Sequence, residues 1–179
     1  MVEFDEAYFE TETSEKDKQN LKRVKGSQRQ MNVAVAAEST PLEDLETGKK
    51  EKHCRYFKMK VLDGHTSDEV NEFVEQNIAE ESIVFSDKSK SYINIADFVE
   101  VHITEKSTKE TTKTTLQWVH IAISNAKRTL LGIYHEIKGK YLQLYLDEFC
   151  YKLNRRYFGD RLFDRLAIAV ATNYWHENG

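Results

Sequence analysis

Residues 116–158, LQWVHIAISNAKRTLLGIYHEIKGKYLQLYLDEFCYKLNRRYF, decide the reading of the chain. They read as two helices. The first places Val119, Ala122, Ile123, Ala126, Leu130 and Ile133 on one face, and the second repeats Leu142, Tyr145, Leu146, Phe149, Leu153 and Tyr157. Both follow the 3.6-residue period of a packed helix. His120 and Lys127 lie seven residues apart, about two turns, so they share a flank of the first helix beside its apolar face.

Upstream, three stretches alternate as strands do: VEFDEAYF at 2–9, MNVAVAA at 31–37 and CRYFKMKVL at 54–62. Their order predicts an antiparallel meander, with a loop over 38–53 marked by Pro41 and Gly48. Asp63-Gly64 is a turn, and Ser67 caps a helix through Ile78. The short apolar run Ile83-Val84-Phe85 predicts a central parallel strand, with Asp87 just past its end. A short helix over 89–98 and a fifth strand at 99–103 follow. Residues 104–115 hold no large apolar residue and read as a solvated, mobile connection. A last amphipathic helix covers 161–174, with Leu162, Phe163, Leu166, Ala167, Val170 and Tyr174 on its stripe. The expected organisation of residues 1–179 is one α/β domain: a mixed five-stranded sheet, three antiparallel strands first, flanked by helices and ending in a helical region. Its parts are 1–103, the connection 104–115 and the helical part 116–179.

Composition narrows the class. The 179 residues are 40% hydrophobic and 31% charged, enough for one core. No apolar run approaches the roughly 20 residues of a membrane span. Two cysteines without metal-ligand spacing point to a reducing compartment. Net charge is −4, unexpected for a nucleic-acid partner, but it is uneven: residues 1–105 carry 14 Lys/Arg against 23 Asp/Glu, and residues 106–179 carry 12 against 7. An acidic part holding cations and a basic helical part facing phosphate would divide this way.

In the predicted strand order the first and fourth strands are neighbours, which brings Asp5 towards Asp87. Two carboxylates there repel unless a cation lies between them, and Mg²⁺ and Mn²⁺ prefer oxygen ligands. A pair of such ions about 4 Å apart suits phosphodiester chemistry. A helical residue would close the site, and a lysine further along that helix would hold a DNA phosphate. Taken singly, each residue has an ordinary reading. Asp5 would be a solvated strand acid, Asp87 an Asx-turn acid, His120 a hydrogen-bonded structural histidine and Lys127-Arg128 a solvated face.

The stretches VEFDEAYF at 2–9, IVFSDKSKSY at 83–92, SNAKRTLLGIYH at 124–135 and YLQLYLDEFCYKLNRR at 141–156 resemble the ISXO-like transposases of bacterial insertion sequences. That is a DDE-type family with an RNase H-like fold. The resemblance implies that Asp5 and Asp87 are the first two catalytic acids. The family's third residue is commonly Glu, with Lys seven positions on. Here Lys127 follows His120, a departure at a place where the family varies among Glu, Asn and His. Asn125 is the rival for that role, although it lies about 200° around the helix from Lys127.

Two divalent ions, Mg²⁺ or Mn²⁺, are implied as cofactors, and a His ligand tilts the choice towards Mn²⁺. Lys127, Arg128, His135, Arg155 and Arg156 are the implied DNA contacts, with a structural role as the other reading of His135 and capping of the second helix as that of the last two. Implied partners are transposon ends, target DNA and further copies of the chain, in a bacterial cytoplasm at the nucleoid, with no membrane. The family usually carries a DNA-binding segment before this core, so a core fragment or truncated copy is expected. Two other functions stay open: an inactive or domesticated remnant that only binds DNA or protein, and a stand-alone metal-dependent nuclease.

Overall fold

A computed structural model of the protein describes residues 1–12, 30–43, 50–64, 66–106, 108, 110–134, 137–156, 159 and 161–173. The strands are β1 (Val2–Glu10), β2 (Gln30–Glu43), β3 (Lys50–Leu62), β4 (Ile83–Asp87) and β5 (Val101–Glu105). The helices are α1 (Ser67–Asn77), the single turn α2 (Thr111–Thr114), α3 (Gln117–Ile133), α4 (Gly139–Asn154) and α5 (Arg161–Asn173). The sheet order is β3-β2-β1-β4-β5, antiparallel across β3-β2-β1 and parallel across β1-β4-β5. This is the mixed α/β sheet expected from the sequence and agrees with an RNase H-like fold.

β1 is central and covered on both faces. Val2 and Phe4 pack with Phe73, Val74, Val84 and Tyr92 on the α1 side. Ala7 and Phe9 pack with Val119, Ala126, Leu142 and Leu146 on the side of α3 and α4. Glu3 and Asp5 share the pleat parity of Ala7 and Phe9, so they project towards α3.

Several elements differ from the sequence reading. β2 and β3 extend through residues expected to be loop, with a register shift between Ala37 and Ser39. Past that point β2 runs beyond the first residue of β1, so Pro41 pairs only with β3, opposite Lys52. A residue without an N–H is tolerated where no second strand needs it. Residues 89–98 form two 3-10 turns, Lys90–Tyr92 and Ile95–Asp97, rather than one helix. The fifth strand begins and ends two residues later than expected, taking Thr104 and Glu105 from the predicted connection. Ile133 is 62% exposed at the end of α3, although its spacing assigned it to the core. In α5 the stripe is exposed at Phe163, Leu166 and Val170. Tyr157 and Tyr174 lie outside the described residues. Gly159, past the end of α4, has φ 51°, the left-handed region that suits glycine.

The outer edge of β3 is closed by side chains of α4. Asn154 accepts from Phe57 N (2.7 Å) and donates to Phe57 O (2.9 Å). Gln143 accepts from Val61 N (2.7 Å) and donates to Met59 O (3.1 Å). Arg156 Nη2 donates to Cys54 O (2.7 Å), and its Nη1 donates to Leu153 O at the helix end (2.7 Å). Two amides and a guanidinium thus act as a missing strand along an edge that would otherwise recruit one. Asn154→Ala leaves both Phe57 backbone groups without this partner, and each such loss costs about 1–3 kcal/mol. Its urea unfolding midpoint is therefore expected to fall clearly below that of the wild type.

Candidate active site

Register brings the two aspartates together. β1 and β4 run parallel with Val2 opposite Val84 and Glu3 opposite Phe85. Asp5 and Asp87 each stand two residues past the last paired positions, at corresponding places on these neighbouring strands. Both carboxylates are half-buried and face α3. Asp5 Oδ1 accepts from Glu6 N (2.8 Å) and Asp87 Oδ1 from Ser89 N (3.0 Å). The second contact is the Asx turn that the ordinary reading of Asp87 predicts.

α3 delivers His120 to this pair, with Nε2 3.7 Å from Asp5 Oδ2. Burial holds the imidazole below its ordinary pKa, against the upward pull of the Asp87 carboxylate. Burial wins, so the ring is neutral at pH 7 and its contact with Asp5 is not an ion pair. A neutral imidazole is also the form that ligates metals.

The other predicted residues divide. Asn125 lines an open groove along the outer side of α3 together with Lys113, Gln117, His120, Ser124 and Arg128. Lys127 lies off that groove, its Nζ 5.5 Å from the centre of the Phe9 ring. Arg155 stacks over Tyr151 at 3.8 Å, and Arg156 serves the β3 edge and the end of α4. His135 lies outside the described residues. Cys54 and Cys150 are buried thiols pushed up to about 12 by burial, which makes them core residues rather than nucleophiles. Glu148 pairs with Lys152 one turn on, as its position suggests.

Three features escaped the sequence reading. Glu3, 0% exposed, accepts from Trp118 N (2.7 Å) and Val119 N (3.1 Å) at the start of α3. Buried Tyr92 lies behind the acids, bonded to Glu6. Burial and the carboxylates of Asp5, Glu6 and Asp87 raise its pKa, so it stays a donor. Glu105 stands opposite Asp87 in the register of β5 and accepts from Thr115 Oγ1 (2.8 Å). Tyr92 and Glu105 carried no signal beyond ordinary strand and turn residues.

Among the described residues, no three His, Cys, Asp or Glu side chains stand close enough to form a ready-made metal cluster. The donor chemistry nevertheless fits a divalent cation: two carboxylates on neighbouring parallel strands, with a neutral imidazole beside one of them. Fit is thus carried by donor type and strand adjacency.

On the opposite face of the sheet, the Ser86 hydroxyl donates to Asp87 O (2.9 Å), so His102 Nε2–H donates to Ser86 Oγ (2.8 Å). Burial lowers the pKa of His102 as it does that of His120. With folded pKa values below the ordinary 6.5, the unfolded chain binds protons first as pH falls. The stability these two rings contribute is fully present above pH 6.5 and drains below it. The urea midpoint of the metal-free protein is expected to drop between pH 7.5 and pH 5, and His102→Gln to flatten that slope.

Residues 1–154 match the protein family described as ISXO2-like transposase domain. No curated protein matches the chain at a significant level. No described helix is long and apolar enough to cross a membrane.

Proposed function

This chain belongs to the family of ISXO2-like transposase domains, and from that premise we propose that it is the catalytic core of an insertion-sequence transposase. One observation supports the reading above the others: His120 stands 3.7 Å from Asp5, whose strand pairs in parallel with the strand that ends at Asp87. Asp5, Asp87 and His120 are the residues that would hold divalent metal, Mn²⁺ or Mg²⁺. Such an ion, when bound, activates a water or a 3′ hydroxyl and stabilises the departing oxygen.

The chain's own residues do the rest. The neutral His120 ring offers a nitrogen lone pair beside the Asp5 carboxylate. The groove along α3, with Lys113 and Arg128 among its residues, offers donors and positive charge to a DNA strand passing the acids. Lys127, held against Phe9, holds a phosphate next to that path. Hydrolysis would free a 3′ hydroxyl at the element end, and in-line attack of that hydroxyl on target DNA would complete strand transfer. The chemistry would be carried out by several copies on paired ends, in the bacterial cytoplasm at the nucleoid. All of residues 1–179 would serve as one catalytic domain.

The test is nicking of supercoiled plasmid in Mn²⁺, in Mg²⁺ and in EDTA, with Mn²⁺ binding followed by calorimetry. Metal-dependent nicking is the expected result. No nicking together with no Mn²⁺ binding would replace this reading with that of a remnant that binds DNA or protein. Nicking without joining of a cut end to target would favour a stand-alone nuclease.

A further inference from the structure

Helix α3 begins without a capping side chain of its own. Its N-cap is Leu116, and no local side chain bonds the first turn. The first-turn N–H groups of a helix need acceptors, above all in the interior. Here Glu3 supplies one from another element. Its Oε2 accepts from Trp118 N and Val119 N, at 2.7 Å and 3.1 Å, with the side chain fully buried.

Two rungs therefore join β1 to α3. Glu3 meets the backbone of Trp118 and Val119, and two residues on, along the same face of the strand, Asp5 meets the side chain of His120. We infer that Glu3 is a positioning residue of the active site: its buried carboxylate fixes α3 on β1 so that the His120 ring stands beside Asp5. This inference rests on the reading of His120 as a site residue.

The physical argument has two parts. Charge-assisted bonds to backbone N–H are short and strong, and the positive end of the helix dipole adds to them. The carboxylate thus sets both the depth and the rotation of the first turn. His120 follows Val119 directly, so a slip of the first turn moves its ring by nearly the same amount. Displacements near 1 Å can lower a rate about 100-fold. A capping serine within the segment would satisfy the same N–H groups but would move with the helix. Glu3 instead ties the helix to the strand that carries Asp5.

The full-length chain is tested as Glu3→Gln, and as Glu3→Asp in case the glutamine variant does not fold. Asn154→Ala is the control, because it weakens the β3 edge far from the acids. Three readouts are taken: the urea midpoint, the His120 ring resonances of the metal-free protein, and kcat and KM for Mn²⁺-dependent plasmid nicking. Glu3→Gln is expected to shift the His120 resonances and to lower kcat about 10- to 100-fold with KM for DNA little changed. Glu3→Asp should show a smaller effect of the same kind. Asn154→Ala should lower the midpoint while leaving the His120 resonances and kcat of the folded protein unchanged.

Wild-type His120 resonances and wild-type kcat in a folded Glu3 variant would overturn the inference. So would a loss of kcat matched by Asn154→Ala at equal stability. Should the wild type nick nothing, the reading as a nuclease core fails separately. The His120 resonances, recorded without metal or DNA, then decide the role of Glu3 on their own.

Discussion

Asp87→Ala is expected to fold and to lose Mn²⁺-dependent nicking by on the order of 10³-fold, equivalent to about 4 kcal/mol of transition-state stabilisation. The side chain ends β4 and is only half-buried, so its removal opens no large cavity. Its turn contact to Ser89 N is worth about 1 kcal/mol. Under the proposed function, the chemistry uses its place at the end of the strand beside that of Asp5. Removing it also takes away the charge that raises the His120 pKa, leaving burial to act on that ring alone. The experiment compares nicking rates at equal folded fraction, with Mn²⁺ binding in parallel. A rate within tenfold of wild type would remove Asp87 from the site.

Much of this site was legible in the sequence because it depends on strand order. The alternation at 2–9 and the apolar run at 83–85 predict adjacent strands, and adjacency delivers Asp5 to Asp87. What escaped depends on tertiary covering. In VEFD, alternation alone reads Glu3 and Asp5 as the wet face of a half-buried strand. The strand is instead covered on both sides, so Glu3 is buried and must bond something. The periodicity of α3 could not show that Ile133, in its last turn, is left exposed. In the stretch 141–156, Arg155 and Arg156 read either as DNA contacts or as a cap of the second helix. Arg156 does cap it, at Leu153 O, but Arg156, Asn154 and Gln143 also bond the backbone of β3, a partner far away in sequence. The α5 stripe was legible as a pattern, but a pattern cannot say what covers it.

The third ligand is the remaining choice at the site, and its two candidates give opposite results. His120→Ala is expected to lower nicking by on the order of 10²- to 10³-fold, while Asn125→Ala stays within a few-fold in kcat and raises KM for DNA. His120 Nε2 already stands 3.7 Å from Asp5. Asn125 lies five residues on, about 7.5 Å further along the helix and roughly 140° around it. Both residues line the groove along α3, but Asn125 stands at its Ser124 and Arg128 end, where it suits a phosphate or sugar better than a cation bound by Asp5. His120→Glu adds a second test, because it returns a hard oxygen ligand to the place of a borderline nitrogen. That exchange is expected to move the metal preference from Mn²⁺ towards Mg²⁺. If Asn125→Ala abolished nicking while His120→Ala kept it, Asn125 would be the third ligand and His120 a structural contact of Asp5.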